Sequence, residues 1–198
     1  EPDYEKQFAR QLERLQMDHI DFYLLHGVSD KLISDYLDHG APAYFREQKR
    51  LGRVRYFGFS FHGSPDALRR MLACGLWDFV QIQLNYYDWF HGTAREQYEL
   101  LREHNIPIMV MEPAHGGMLA NLPETGRDLL LAAKPDATAV SWAFRFLRTL
   151  PGIAVVLSGM SELGQVKDNI QTFSDDRLLS KEEISLVRQV SDVIHGLY

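Results

Sequence analysis

Histidine, glutamine, asparagine, glutamate, serine and glycine recur in this chain just after short apolar runs. Those positions are where its chemistry is to be sought. His26 follows Ile20 to Leu25, and Ser60 and His62 close the run that begins at Val54. Gln81, Gln83 and Asn85 punctuate the next run, Glu112 and His115 follow Ile106 to Met111, and Ser158 and Gly159 follow Ile153 to Leu157. A histidine so placed can donate a hydrogen bond or a proton to a substrate oxygen. The stretch Leu157-Ser158-Gly159-Met160-Ser161 runs directly into a helical pattern, where exposed N–H groups beside a small residue suit a phosphate. Gln165 and Asn169 stand four residues apart on that helix and share a face. Taken singly, each feature has a structural reading: His26 ends a strand and Ser161 caps a helix. Five such ends in succession point to a shared pocket.

The elements that must position these groups alternate. Residues 3–16 form an amphipathic helix with Phe8, Leu12 and Leu15 on one stripe. The run 20–25 lacks polar/apolar alternation and suits a strand covered on both faces, as in parallel sheets packed between helices. A short helical stretch lies near 31–38 and a second near 42–51, with Pro42 in its first turn. The second strand spans 54–60, Ser64-Pro65 opens a helix closed by Gly75, and the third strand spans 78–85. Thr93-Ala94-Arg95-Glu96 has capping-box spacing and starts a helix to about residue 104. A fourth strand spans 106–112, a short helix lies near 126–133, and helix returns from 136. The fifth strand spans 153–157. Ser161 then begins a helix with Leu163, Val166 and Ile170 inward, and Ser180 opens a last helix to about His195. Strand and helix alternating in this way predict a parallel sheet with crossover helices.

The pattern matches the units of a (β/α)8 TIM barrel, which places active residues beyond the carboxyl ends of its strands. A closed barrel needs eight strands and typically ~250 residues. This chain has 198 residues and shows five strands. The expectation is an incomplete barrel, one domain over residues 1–198, covering about strands four to eight plus a C-terminal helix.

Composition narrows the class. The net charge of -6 and the lack of a basic stripe argue against nucleic acid as a partner. No apolar stretch approaches the ~20 residues of a membrane span. The chain opens on a charged amphipathic segment rather than a signal peptide, and the single Cys74 gives no disulfide framework, so a cytoplasmic setting is expected.

In order and spacing the chain resembles the aldo-keto reductase superfamily. Asp21-Phe22-Tyr23-Leu24-Leu25-His26 is similar to its fourth-strand motif, and Leu51-Gly52-Arg53-Val54-Arg55 through Gly58-Phe59-Ser60 to its "G-K-[IV]-R-x-x-G-x-S" segment. Val156 to Ser161, with Gln165 and Asn169, is similar to its last-strand cofactor segment. The wording Phe59-Ser60-Phe61-His62-Gly63 and Leu157-Ser158-Gly159-Met160 most resembles a subgroup often fused to a C-terminal ferredoxin-like iron–sulfur domain. The resemblance implies a carbonyl-reducing oxidoreductase using NADPH, with NADH also admitted, and an iron–sulfur cluster only if such an extension exists. It implies His26 as the catalytic histidine that orients the carbonyl. It implies Ser60 and Gln81 as holders of the nicotinamide carboxamide, and Ser158, Gly159, Met160, Gln165 and Asn169 at the adenosine phosphate end. His62, Trp89, Glu112 and His115 are weaker candidates for a substrate pocket.

The departures are specific. The family's catalytic tyrosine, lysine and aspartate belong to the first three strands and have no counterpart here, so these residues alone are expected not to reduce carbonyls. Phe61 stands where asparagine is usual, Met111 replaces an aromatic residue, and no lysine or arginine lies close to Gly159. Two other readings compete: a metal-dependent barrel hydrolase drawing on His26, His62, His115, Glu112 and Asp88, and a non-catalytic nucleotide-binding barrel module. No metal site is expected.

Overall fold

The computed structural model describes residues 3–75 and 77–197. Helix α1 (Tyr4–Leu15) begins where the Asp3 carboxylate accepts the Lys6 N–H at 2.9 Å, and it buries Phe8 and Leu12. Strand β1 (Ile20–Val28) leads through α2 (Ile33–Asp38) and α3 (Ala41–Arg50) to β2 (Val54–Phe61). Then come α4 (Pro65–Ala73), β3 (Phe79–Gln83), α5 (Tyr86–His91), α6 (Ala94–Glu103) and β4 (Ile108–Met111). A 3-10 turn (His115–Ala120) precedes α7 (Glu124–Ala133), α8 (Ala139–Arg148), β5 (Ile153–Val156), α9 (Leu163–Ser174) and α10 (Lys181–His195). The strands form one five-stranded sheet in chain order, and β1 with β2 and β2 with β3 pair in parallel. This is an α/β fold of the kind from which (β/α)8 barrels are built.

The residues gather into two compact units, Glu1–Ile82 with Leu100–Ile108, and Gln83–Glu99 with Met109–Tyr198. The first is held by aromatic packing on one face of its strands. The Phe45 ring stacks on Tyr23 at 4.4 Å and on Phe57 at 5.3 Å, and Trp77 meets Phe57 and Phe59 at 5.1 and 4.7 Å. The Trp77 indole N–H donates to the Met71 carbonyl at 2.7 Å, which satisfies the polar handle of a buried ring. At Gly58 the chains approach closely: a Cβ there would lie 2.3 Å from the Phe79 carbonyl oxygen.

Strand β1 was expected to be covered on both faces; among the described residues one face is covered and the other is partly open. Tyr23 and Leu25 face the helical side, while Phe22 is 55% exposed and lies beside the rings of Tyr56 and Phe79, at 4.8 and 5.6 Å. Successive strand residues point to opposite faces, so an all-apolar run does not by itself say that both are covered. The strand also runs past its expected end at Leu25, with a break in register between Leu25 and Val28. His26 therefore lies within β1.

The second unit packs α10 against α7 and α5, burying Val187, Val190 and Ile194, with Tyr86, Trp142 and Phe146 also in the core. The Arg145 guanidinium donates to Asp175 at 2.6 Å, and Arg148 donates to the carbonyls of Thr172 and Asp175, fastening α8 to the segment after α9. Two boundaries differ from expectation. The third strand stops at Gln83 instead of Asn85, because the Asn85 side chain accepts the Asp88 N–H at 2.9 Å and starts α5. Helix α9 begins with Glu162 as N-cap instead of Ser161. Its expected inward stripe is largely outward: Leu163 is 68% and Ile170 62% exposed. The helix is instead anchored through Asp168, which accepts from Thr138 Oγ1 at 2.7 Å, and Phe173, whose ring lies 5.6 Å from Phe144. Spacing revealed an apolar stripe without revealing which stripe is covered.

Candidate functional site

A cavity with a volume of about 610 Å³ lies within the second unit, in the range of ordinary ligand pockets. Met111, Val140, Phe144, Leu157 and Met160 make its apolar walls, and Glu112, Ser158, Gln165 and Asn169 supply polar groups. Each part is positioned by local structure. Glu112 follows β4 with φ +53°, a left-handed conformation, and its Oε2 accepts the Gly116 N–H at 2.5 Å. Ser158 follows β5, and its hydroxyl accepts from Asn169 Nδ2 at 3.1 Å, so the turn is pinned to α9. At Gly159 a Cβ would meet no atom within 4 Å, so the backbone here stands open to a ligand.

Gln165 lines the cavity and also has a structural role. Its Oε1 accepts the N–H groups of Ser161 and Glu162, at 2.8 and 3.2 Å, and with Glu162 it forms a capping box at the start of α9. The donors expected to meet a phosphate there are already held by this side chain. The signal was in the sequence: Glu162 and Gln165 have capping-box spacing.

A second polar cluster lies beyond β3 in the same unit. Asp88 Oδ2 accepts from Gln83 Nε2 at 2.9 Å and from Asn85 Nδ2 at 2.6 Å, and His115 Nδ1 lies 3.1 Å from it. Asn85 is fully buried, and its Nδ2 also donates to the Glu112 carbonyl at 3.0 Å. The amide thus braces the start of α5 against the start of the loop that carries the cavity's rim. His115, also with positive φ, sets its ring against Tyr87 at 5.2 Å rather than into the cavity. Trp89 packs on Tyr98 and Phe146, at 5.2 and 5.7 Å, and likewise does not line the cavity.

In the first unit, Ser60 and Gln81 are register partners on adjacent strands. Ser60 is fully buried, and its Oγ accepts the Gly27 N–H at 2.8 Å. His26 has an exposed side chain, and its carbonyl accepts from the Tyr36 hydroxyl at 2.7 Å. His62 is exposed, and its N–H donates to the Val28 carbonyl at 2.8 Å. Among the described residues, no three histidine, cysteine, aspartate or glutamate side chains stand together as metal ligands would. No helix among them is long and apolar enough to cross a membrane.

Sequence reasoning missed Val140 and Phe144, four apart on α8, whose share of the cavity wall gives no signal distinct from core packing. Asp88 was noticed only as a possible ligand. Its role as hub was announced by the spacing Asn85-x-x-Asp88.

Comparison with known proteins agrees with this architecture. An oxidoreductase of Bacillus subtilis, YqkF, is 26% identical over 90% of this chain and 62% of its own length. The NADH-specific methylglyoxal reductase of Escherichia coli is 23% identical over 96% of this chain and 64% of its own length. The chain thus spans less than two thirds of these relatives. The holo structure of the aldo-keto reductase AKR11C1 from Bacillus halodurans superposes with a TM-score of 0.77 at 27% identity, covering 94% of this chain and 63% of that one. An aldo/keto reductase of Klebsiella pneumoniae, solved with NADP and acetate, shares the fold with a TM-score of 0.73 at 19% identity, covering 96% and 65%. The model of the Aldo/keto reductase family matches residues 1–192, and the chain belongs to that family.

Proposed function

We propose that the complete protein is a nicotinamide-dependent oxidoreductase that reduces the carbonyl of a small molecule, and that residues 1–198 serve as one domain of it, equivalent to the later five of eight β/α units. The observation that carries this reading is the cavity between the ends of β4 and β5, whose apolar walls and amide and hydroxyl groups fit part of a dinucleotide. The open backbone at Gly159 leaves room for close approach. The bound nicotinamide would supply the hydride.

The chain's own residues would bind and orient. Ser158, Gly159, Met160 and Asn169 would hold the adenosine phosphate end. The Asn169–Ser158 bond fixes the turn before the ligand arrives. Gln165 contributes indirectly by capping α9 and shaping the same turn. Ser60 and Gln81 would hold the carboxamide. The Ser60 oxygen already accepts from Gly27, which leaves its O–H to donate. His26 would donate a hydrogen bond to the substrate's carbonyl oxygen, where negative charge grows as the carbon is reduced. The tyrosine, lysine and aspartate that the family uses for proton transfer would come from outside these residues.

The test is a titration of the chain's fluorescence with NADH and NADPH, checked by calorimetry. Saturable one-to-one binding that weakens in Asn169→Ala is expected. Lack of binding to either nucleotide would sink the proposal.

A further inference from the structure

The loop that rims the cavity is held in its shape from outside the cavity. Pro113, Ala114, Gly116 and Gly117 line the space. Glu112, His115, Gly116 and Gly117 all have positive φ, a region that residues other than glycine keep only when their surroundings hold them there. Two contacts do so. The fully buried Asn85 amide donates to the Glu112 carbonyl at 3.0 Å, and His115 Nδ1 lies 3.1 Å from Asp88 Oδ2. That same oxygen accepts from Gln83 and Asn85, at 2.9 and 2.6 Å. The two amides donate at every pH, whereas the charge of a histidine changes near neutrality. Among the described residues His115 is also the ion-pair partner of Asp88. The other groups around its ring are Tyr87 on α5, at 5.2 Å, and Glu112, whose carboxylate is engaged by the Gly116 N–H. Beyond Tyr87 stand His91 and, on α10, His195, which stack at 4.1 Å, with Asp192 3.2 Å from His91.

We infer that His115 is a positioning residue: its proton, held against Asp88, sets the shape of the cavity's rim and makes ligand binding there pH-dependent. This rests on the reading of the cavity as a ligand site. His115 does not itself line the cavity, so it acts through its own backbone. The protonated imidazole always presents an N–H at Nδ1 and brings a positive charge to the carboxylate, which makes a charge-assisted hydrogen bond. The neutral ring lacks that charge, and one of its two tautomers turns a lone pair on Asp88. The His115 backbone is then held less firmly. Gly116 and Gly117 loosen with it, since their N–H groups bond within the same loop, to Glu112 and Ala114. The rim therefore tightens as pH falls through the range in which His115 gains its proton.

The experiment spans about pH 6 to about pH 8.5, the range in which histidine titrates, and uses two readouts. One is protection of the Gly116 and Gly117 amides from hydrogen exchange in the empty protein, corrected for intrinsic exchange. The other is the dissociation constant for NADH, which carries no phosphate monoester and so keeps its own charge over this range. Protection is expected to be about fivefold greater at the acid end, and NADH to bind about threefold more tightly there. His115→Asn keeps an N–H donor near the place of Nδ1, on a residue that tolerates positive φ, without a titrating charge. It should fold, as circular dichroism reports, and abolish both pH steps. His195→Asn should leave both in place. An exchange step that is absent, reversed, retained in His115→Asn or lost in His195→Asn would overturn the inference, as would NADH binding that is equal at both ends of the range. Failure of NADH to bind at any pH would overturn the dinucleotide reading alone, because exchange at Gly116 and Gly117 still decides the role of His115.

Discussion

Two glycines show how differently this chain uses the same residue. Gly58, in β2, lies where strands crowd: an added Cβ would sit 2.3 Å from the Phe79 oxygen and 2.9 Å from its ring. Gly159, after β5, faces nothing within 4 Å. The first glycine is required by the protein's own packing. The second leaves a space that packing does not need. Their serine neighbours follow suit. Ser60 is fully buried and accepts the Gly27 N–H, whereas Ser158 is half-buried beside a cavity. A polar residue at a strand end is thus packed among partners in one region and left beside an open cavity in the other, and burial tells them apart.

Substitution can break that distinction. Gly58→Ala should have the largest effect, a loss of about 3 kcal/mol or more, because the clash is with backbone as well as with the ring. Urea unfolding measures it, and a loss under about 1 kcal/mol would show that Phe79 moves aside. Ser60→Ala should destabilise by about 1–3 kcal/mol by stranding a backbone N–H. An unchanged urea midpoint would place Ser60 among the ligand-only residues and erase the contrast.

Gly159→Val should behave in the opposite way. Stability should stay within about 0.5 kcal/mol of the parent, while NADH affinity should fall about tenfold, equivalent to ~1.4 kcal/mol. A stability loss as large as that of Gly58→Ala would mean the turn is packed after all.

The smallest effect lies far from either glycine. The hydrogen bond from Arg145, helped by the Arg177 N–H, lowers the Asp175 carboxyl from its ordinary 3.8 to about 2. A carboxyl lowered in the folded state favours folding fully above its unfolded value, and that contribution disappears as pH falls toward 2. Asp175→Asn should therefore flatten the acid limb of the stability profile between about pH 4 and pH 2 and leave the neighbourhood of Gly159 untouched.

Much of this was legible beforehand. Strand and helix alternation, the caps at Ser64 and Ser180, and the turn at Gly75 follow local rules, and local rules act in the folded chain as in the sequence. Family motifs led to Ser158, Gly159 and Asn169, which do line a cavity. What escaped depends on partners distant in sequence. Nothing local says that Phe22 would stay half bare, that Leu163 and Ile170 would face outward, or that His115 would turn to Tyr87 and Asp88. Helix α5 escaped for another reason. Tyr86, Tyr87, Trp89 and Phe90 read as strand formers, and only the Asn85 cap outweighs that preference.

The closed start of α9 has a consequence for recognition. With Gln165 already gripping the first N–H groups, the turn keeps its shape without a guest. Little ordering entropy then opposes the arrival of a ligand. Hydrogen exchange around Ser161 and Glu162 should run equally slowly in the empty and the filled protein, and a nucleotide would enter a socket that was rigid before it came.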